Sequence, residues 1–263
     1  MEILVCARRV PDTSENEIKI DTSGRDIERD DLVYSVNEPD NYAVEEALQI
    51  VDRTGGNVTV VTVGGDEDEE ILRREMAMGT RQAVLLSDDA FAGSDGKGIA
   101  TVLKAFVQTG HYDLILTGVQ AEDGAAQVGG MLAALLDYPF ASLVTSIEVL
   151  EGRKLKIGRE IEGGAKEIDA IDLPCVLSIQ TGINEPRYVG MRGIRQVASV
   201  PIPTLGAAEL NLEPDTVGAT AAKVQRLNYF VPAAGRGAEM FQGSREEVLE
   251  KLMDLLKAKG GLN

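Results

Sequence analysis

The sequence predicts an α/β fold: a doubly wound, mostly parallel sheet with helices on both faces, plus a β-hairpin and an extended C-terminal arm that ends in a helix. Three patterns lead to this prediction. Before Pro139, short apolar runs alternate with helical patterns. Those runs are almost continuously apolar, as are the strands of a parallel sheet covered on both faces. After Pro139, polar and apolar residues alternate around a turn, which is typical of a hairpin.

The first half of the chain contains four predicted strands, over 2–10, 57–64, 82–86 and 113–118. Three helical patterns lie between them. The first, over 40–52, carries one apolar stripe, and Asp40 is placed to cap it. The second begins with the acids of 66–70, whose charge complements the dipole of a helix N-terminus. The third is the apolar stretch over 98–110.

A different pattern follows Pro139. Alternating polar and apolar residues on both sides of Glu151–Gly152 predict a hairpin over about 142–171. The run over 174–182 is apolar again and predicts another buried strand.

The C-terminal part of the chain is predicted to form an arm. Between 201 and 243, prolines and small residues replace any regular periodicity, which is typical of a segment lying across a surface or a partner. Ser244 and Glu247 form a capping box at the start of the last helix, which carries a leucine-rich stripe. We therefore predict an α/β domain over 1–200 and a partner-contacting arm with a C-terminal helix over 201–263.

The composition argues against several classes of function. A formal net charge of −17 repels nucleic acid and anionic membranes, and no apolar run approaches the roughly 20 residues that span a bilayer. The chain begins directly with a strand, and its two cysteines form no CxxC pair, so we expect a reduced, cytoplasmic protein. With one histidine, His111, neither a metal centre nor a Ser-His-Asp triad is plausible. The composition favours a binding or carrier protein over a hydrolase.

The candidate site lies where the predicted parallel strands end. Ligands of doubly wound sheets bind at the carboxyl ends of the strands, which here are Cys6, Val63–Gly65 and Thr117–Gln127. The last of these is rich in glycine and alanine and leads into a helix expected to begin near Ala125–Gln127. The free N–H groups of that helix would favour an anion, most often a phosphate.

Polar side chains in this loop are candidates for contacts to a nucleotide. Asp123 is placed to cap the helix or to bond a ribose, and Gln120 and Gln127 can bond a base or a sugar. The loop from Gly118 to Val128 has no Lys or Arg, so backbone N–H groups and the helix dipole would have to hold a phosphate. The alternative is an ordinary capped helix whose small residues serve packing, and the residues by themselves leave both open.

Six blocks of the sequence resemble those of the β subunit of electron transfer flavoproteins. They are "ILVCARRVPD", "VNEPDNYAVEEAL", "EMAMGTRQAVLL", "LILTGVQAEDGAAQVGGMLAALLDYP", "GREIEGG" and "NEPRYVGMRGI". Each block alone is weakly specific. Because all six occur in the family's order and extend over nearly the whole chain, the resemblance is strong.

The resemblance implies an αβ heterodimer whose redox-active FAD is held mainly by the α subunit, with AMP bound to the β subunit. In a subgroup that performs flavin-based electron bifurcation, a second FAD takes the place of AMP and NADH docks beside it. Carried over by position, the nucleotide site comprises the three strand ends, one residue before the first helix, and the loop. Its residues are Cys6, Asn37, Val63, Gly118, Gln120, Ala121, Asp123, Gly124, Ala125, Ala126, Gln127 and Val128.

The block "NEPRYVGMRGIR" resembles the family's recognition loop for acyl-CoA dehydrogenases. This implies an exposed apolar anchor, by position Met191, and a basic cluster suited to an acidic partner surface. The family also implies an electron acceptor such as a membrane quinone oxidoreductase. The alternative is a buried Met191 with arginines that pair with the chain's own acids. The implied partner-binding residues are Arg187, Tyr188, Met191, Arg192 and Arg195.

Three functions therefore stay open. The chain can be the AMP-binding subunit of an electron carrier, a bifurcating subunit with its own FAD and an NADH site, or a stand-alone adenine-nucleotide-binding protein. The arm and the "NEPRY" block argue against the last. Asp40 and Tyr42 within "DNYAVEEA" are similar to bifurcating members. The acids of 66–70 would repel a dinucleotide diphosphate, and they favour AMP.

Overall fold

The computed structural model describes residues 1–121, 125–233, 235, 237–238 and 240–261. Short 3-10 turns lie at Asp66–Asp68, Asp89–Phe91, Glu162–Gly164 and Pro214–Thr216. The strands and helices, in chain order, are β1 (Glu2–Cys6), β2 (Arg9–Pro11), β3 (Tyr34–Val36), α1 (Glu38–Thr54), β4 (Asn57–Val63), α2 (Glu69–Met78), β5 (Gln82–Leu86), α3 (Gly96–Val107), β6 (Leu114–Gly118), α4 (Val128–Leu136), β7 (Phe140–Leu150), β8 (Lys154–Glu160), β9 (Lys166–Asp172), β10 (Cys175–Ile179), α5 (Met191–Val197), β11 (Thr204–Leu205), α6 (Gly218–Ala221) and α7 (Arg245–Ala258).

Most strands join one large, mainly parallel sheet in the order β11-β5-β4-β1-β6-β10-β7-β8-β9. All neighbours from β11 to β7 are parallel, whereas β8 is antiparallel to both β7 and β9. The chain moves outward from β1 through β4 to β5 and then returns to β6, on the other side of β1. This reversal is the topological switch point beside which ligands of such sheets bind. The predicted doubly wound, mostly parallel fold is confirmed.

Two hydrophobic cores cover the two faces of the sheet. Ile3 and Val5 pack in one core with α1 and α2, and Leu4 between them packs in the other core with α3 and α4. Successive side chains of a strand point to opposite faces, so a strand buried on both faces needs an apolar residue at every position. This requirement explains the continuous apolar runs of the sequence.

The predicted first strand, over 2–10, is two separate elements. β1 ends at Cys6, and β2 pairs antiparallel with β3 in a ribbon outside the large sheet. The guanidinium of Arg9 lies 3.6 Å from the ring centre of Tyr34, across that ribbon. Strands of three residues are too short for an alternating pattern to be recognised, so the ribbon was not predicted.

The hairpin after Pro139 is confirmed and is extended by a third strand. β7 and β8 pair around Gly152 and Arg153, both of which adopt positive φ angles. β9 then pairs antiparallel with β8 along its whole length. The predicted buried strand over 174–182 is β10, which lies between β6 and β7.

The arm begins on the sheet and ends exposed. β11 adds a short parallel strand to β5, and Ala207, Leu210 and Val217 are buried in the core under α3. Farther along, the backbone N–H of Lys223 donates to the carboxylate of Asp95 at 2.6 Å. α7 has no buried residue. The predicted boundary between residues 200 and 201 stays a prediction.

Candidate functional site

Three parallel strands end side by side at one edge of the sheet. β1 lies between β4 and β6, and Cys6 is in register with Val61 of β4 and Thr117 of β6. β4 ends at Val63 and β6 ends at Gly118. The three strand ends singled out in the sequence therefore lie together, at the switch point of the sheet.

Asn37 joins the start of α1 to the segments that follow β1 and β6. Its side chain is buried, and its Nδ2 donates to the carbonyl oxygen of Gln120 at 3.0 Å. Its backbone N–H donates to the carbonyl oxygen of Arg8 at 2.8 Å. The predicted site residue Asn37 thus lies between two of the three strand ends.

The prediction that Asp40 caps the first helix is wrong. α1 begins at Glu38 with Asn37 as its N-cap residue, and Asp40 is buried in the first turn. One carboxylate oxygen of Asp40 accepts from the N–H of Gly118 at 2.7 Å, and the other accepts from the N–H of Arg8 at 2.9 Å. Burial raises the pKa of Asp40 to about 7, against the opposite effect of these hydrogen bonds and of one from Asn37. Asp40 therefore fixes the ends of β1 and β6 relative to α1, a role that the sequence did not reveal.

The surroundings of Cys6 disfavour the thiolate form of its side chain. The side chain is partly buried against the core under α3. Burial, with a smaller contribution from the charge of Asp40, raises the pKa of the Cys6 thiol far above its ordinary value. Since the reactive form of cysteine is the thiolate, the chain offers only backbone groups and apolar surface at this strand end.

The loop after β6 leads into a helix that begins one residue beyond the predicted start. α4 begins at Val128, with Gln127 as its N-cap residue. Ala125 and Ala126 are exposed, and Ala126 has a φ of 54°, in the left-handed region. Gln120 is exposed and Ala121 half-buried. Two predicted site residues of this loop, Asp123 and Gly124, lie outside the described residues.

The first turn of α4 lies directly on the sheet. A β-carbon at Gly129 would clash with the hydroxyl of Ser178 and lie 2.8 Å from that of Thr117. These two hydroxyls are buried and hydrogen-bonded to each other at 2.9 Å. Gly129 therefore serves packing. This agrees with the alternative in which the small residues of this stretch pack a helix against the sheet. The same close approach also brings the free N–H groups of the α4 N-terminus to the edge where the strands end.

A cavity of about 340 Å³ adjoins the strand ends. The β2–β3 ribbon, the first residues of α1 and Gln120 line it, and Asn37 connects it to the ends of β1 and β6. A second, open cavity of about 480 Å³ lies elsewhere, between α1 and β7. Only the first of these two adjoins the predicted nucleotide site.

The predicted docking residues lie on the segment that leads into α5. Met191 is 65% exposed and Tyr188 is 93% exposed, so the alternative of a buried Met191 is wrong. Arg187 forms ion pairs within the chain, at 2.8 Å with Glu45 and at 3.4 Å with Asp52. Two further predicted partner-binding residues are exposed and form no ion pair with any described residue; these are Arg192 and Arg195.

Comparison with known proteins places this sequence in a family. The profile described as electron transfer flavoprotein domain matches residues 26–210. The electron transfer flavoprotein subunit beta of Methylophilus methylotrophus is 35% identical, with 97% of this chain and 98% of that protein covered. The chain belongs to the electron transfer flavoprotein β-subunit family.

Other relatives of this family carry two kinds of name. The electron transfer flavoprotein subunit beta of Bacillus subtilis is 34% identical, with 98% of each chain covered. Subunit CarD of the caffeyl-CoA reductase-Etf complex of Acetobacterium woodii is 38% identical, with 98% of this chain and 99% of that protein covered. Membership of the electron transfer flavoprotein β-subunit family does not by itself identify the ligand of the strand-end site.

Outside that site, the described residues were compared with the requirements of a metal site and of a membrane span. In the part of the chain that the structure describes, no group of three or more His, Cys, Asp or Glu side chains could hold a metal ion, and no helix is long and apolar enough to cross a bilayer. His111 is exposed and its Nε2 lies 3.4 Å from a carboxylate oxygen of Asp113. Both residues precede β6, at the edge of the sheet opposite to the strand ends.

Proposed function

We propose that this chain is the β subunit of a non-bifurcating electron transfer flavoprotein. It binds AMP and pairs with an α subunit that holds most of the FAD site. The heterodimer transfers electrons from acyl-CoA dehydrogenase-type flavoenzymes to an acceptor such as a membrane quinone oxidoreductase. The observation that carries the proposal is the meeting of three parallel strand ends with the N-termini of α1 and α4.

The residues at this edge fit an adenine nucleotide. Cys6, Val63 and Gly118 end the three strands at this edge, where an adenosine would lie, and the loop glutamines Gln120 and Gln127 offer amides for the base or the sugar. The phosphate would face the first turn of α4, where N–H groups and the helix dipole favour negative charge. This arrangement suits a chain of net charge −17 whose loop carries no Lys or Arg.

The flavin supplies the redox chemistry once the heterodimer holds it. The contribution of this chain is to bind and to orient. Asp40 and Asn37 tie the segments after β1 and β6 to α1, which keeps the nucleotide edge rigid. Burial disfavours the thiolate of Cys6, so this thiol is poorly suited to nucleophilic catalysis.

The exposed arm supports an obligate partner. Leu227 is 78% exposed and Phe230 is 72% exposed, and α7 leaves its whole leucine stripe in water. Large apolar side chains exposed in this number mark an interaction site, because their exposure costs free energy that burial against a partner recovers. We assign this surface to the α subunit in a 1:1 heterodimer.

The segment over 184–197, called the docking segment below, supports a flavoenzyme partner. Tyr188 and Met191 project apolar surface into water, and Arg192 and Arg195 lie beside them. An apolar anchor surrounded by basic side chains is complementary to an apolar pocket with an acidic rim. We assign this pocket to an acyl-CoA dehydrogenase-type enzyme.

A bifurcating subunit that binds a second FAD and NADH is the second candidate. The cavity of about 340 Å³ beside Asn37 favours it, since a ligand larger than AMP could extend there. The similarity to a subunit of a caffeyl-CoA reductase-Etf complex favours it too. Against it, the acids of 66–70 follow the end of β4 and would repel a dinucleotide diphosphate.

Identification of the bound nucleotides tests the proposal. The chain is co-expressed with its α subunit, the purified heterodimer is denatured, and the released nucleotides are identified and counted by mass spectrometry. One FAD and one AMP per heterodimer is the expected result. Two FAD and no AMP would reverse the choice in favour of the bifurcating subunit, and a fully active protein without a second chain would overturn both.

A further inference from the structure

The inner side of the docking segment is bonded to α1 through Arg187. The backbone N–H and the Nε of Arg187 donate to one carboxylate oxygen of Glu45 at 3.1 and 2.8 Å, and Nη2 donates to the other oxygen at 3.2 Å. The Glu45 side chain is only 5% exposed. Although burial acts in the opposite direction, the hydrogen bonds from Arg187 hold the pKa of Glu45 below its ordinary value. Glu45 is therefore an ionised acid whose main partner belongs to the docking segment.

The neighbouring acid holds the start of the same segment. Asn184 Nδ2 donates to a carboxylate oxygen of Glu46 at 3.1 Å and to the carbonyl oxygen of Tyr42 at 3.2 Å. Adjacent residues of a helix point in different directions, so Glu45 and Glu46 bind the segment at two separate residues, Arg187 and Asn184.

α2 holds the other end of the segment. Arg73 donates to the carbonyl oxygens of Val197 and Val200, at 2.8 and 3.2 Å. A β-carbon at Gly193 would lie 3.2 Å from the carbonyl oxygen of Ala77, so α5 packs closely on α2. With its inner side fixed at both ends, the segment turns Tyr188, Met191 and Ile194 outward.

We propose that Glu45 is a positioning residue for partner docking, acting through Arg187 to hold the segment over 184–197 in its binding conformation. This inference rests on the proposed function, which assigns that segment to a flavoenzyme partner. A loop that is already ordered loses less conformational entropy on binding, so its affinity is higher than that of a loose loop with the same side chains. Arg187, which the sequence suggested as a partner contact, then acts within the chain.

Asp52 provides a matched control for Glu45. It is the other acid beside Arg187, at 3.4 Å, but it is 66% exposed. Exposed ion pairs contribute little, whereas breaking a buried pair is costly because it leaves a charge without compensation. Glu45→Gln and Asp52→Asn remove the same charge from the same guanidinium, and the two variants differ in burial.

The test uses the co-expressed heterodimer. An acyl-CoA dehydrogenase reduced by butyryl-CoA serves as the electron donor, and the concentration of heterodimer is varied. Glu45→Gln should raise the KM for the heterodimer by about 10-fold and leave kcat nearly unchanged, because ordering affects binding and not the transfer step. Asp52→Asn should leave both constants nearly unchanged. Hydrogen exchange over 184–197 should be faster in Glu45→Gln, with unchanged exchange over β1 and β6 and unchanged nucleotide content.

Arg187→Gln breaks the same ion pair by changing its more exposed partner. It keeps the test decisive if Glu45→Gln fails to fold. It should give the same KM and exchange effects, and the double variant should lose no more than either single variant, as expected for two residues that act as one pair. Unchanged exchange over 184–197 in both variants would overturn the inference, whichever enzyme is the partner. A wild-type heterodimer that accepts no electrons from the dehydrogenase would contradict the proposed partner, and the exchange result would still decide the role of Glu45.

Discussion

The nucleotide edge of the sheet and the arm from residue 218 onward are built in opposite ways. At the edge, the ends of β1, β4 and β6 lie in register, and Asp40 and Asn37 bond the neighbouring segments to α1. Along the described residues of the arm, a few backbone N–H groups and the ion pair of Arg226 with Asp26 connect to the rest of the chain, and large apolar side chains are exposed.

This difference indicates that the nucleotide edge folds fully within the chain, whereas the arm needs a partner to become ordered. Strand ends that are buried in the core and bonded to α1 need no further protein to keep their shape. An arm with exposed leucines and phenylalanine gains its ordering free energy only when another surface covers it. The predictions that follow test the two regions separately, from the largest expected effect to the smallest.

Disruption of the α7 stripe should have the largest effect. The double variant Leu252→Asp/Leu256→Asp places two charges on the apolar stripe and should weaken association with the α subunit by about 100-fold or more. Co-purification with a tagged α subunit measures the association. Glu250→Gln changes an exposed polar residue of the same helix and should have no effect. Undiminished co-purification of the double variant would exclude α7 from the interface.

Asp40→Ala should disrupt the nucleotide edge and leave the arm unaffected. It removes the acceptor of the part-buried N–H groups of Gly118 and Arg8, at a cost of about 1 kcal/mol for each hydrogen bond. The heterodimer should still form but should release most of its AMP, which mass spectrometry of the purified protein measures. Glu70→Ala, in the first turn of α2, removes an exposed acid as a control. Equal AMP content in both variants would show that Asp40 does not shape the site.

Met191→Ala should slow electron transfer from the dehydrogenase partner. Loss of an apolar anchor costs about 2 kcal/mol of binding. Stopped-flow mixing of the reduced dehydrogenase with the heterodimer measures the rate, and the melting temperature and nucleotide content should not change. Ile168→Ala removes an apolar side chain of similar exposure, 59%, from β9 as a control. A lower melting temperature with unchanged transfer would instead make Met191 a structural residue.

Two substitutions at Ala126 test whether a phosphate lies close to the loop backbone. The residue has a φ of 54°, which is strained for a β-branched side chain, at a cost of about 1–2 kcal/mol. Ala126→Val should therefore weaken AMP binding, both by strain and by bulk, whereas Ala126→Gly should retain it. Calorimetric titration of AMP into the nucleotide-free heterodimer measures both affinities. Equal affinities would place the phosphate away from Ala126.

Glu75→Gln should change the pH dependence of stability with no effect on either site. Glu75 is fully buried in α2, and neither carboxylate oxygen has a hydrogen-bond partner among the described residues. Burial raises the pKa of Glu75 from 4.5 to about 8, against the effect of Arg74 and with an addition from Asp40.

Between pH 4.5 and 8 the native chain keeps a proton on Glu75, whereas the unfolded chain has released it. The contribution of Glu75 to the free energy of unfolding therefore falls as pH rises through this window. In Glu75→Gln that contribution should vanish, and Tm at pH 8 should rise by about 2–4 °C for each kcal/mol recovered. Melting curves at pH 5 and pH 8 measure the difference. An identical pH dependence in the wild type and the variant would show that Glu75 is ionised in the native chain.

The sequence predicted those parts of the molecule that local patterns determine. The parallel strands were recognisable because burial on both faces demands continuous apolar runs, and the helices because one stripe faces the sheet. The β2–β3 ribbon was missed because strands of three residues carry no periodicity. The bonds of Asp40 to Gly118 and of Glu45 to Arg187 were missed because they join residues far apart in the chain, which only the fold brings together.

Hydrogen exchange on this chain, alone and in complex with its α subunit, tests most directly the claim that the sheet is complete within the chain and that the arm needs a partner. Amides over 219–233 and 240–258 should exchange quickly in the isolated chain and should be protected by about 10-fold or more in the heterodimer. Amides of β1, β4 and β6 should be equally protected in both. An arm that is already protected in the isolated chain, or that stays unprotected in the heterodimer, would contradict the account.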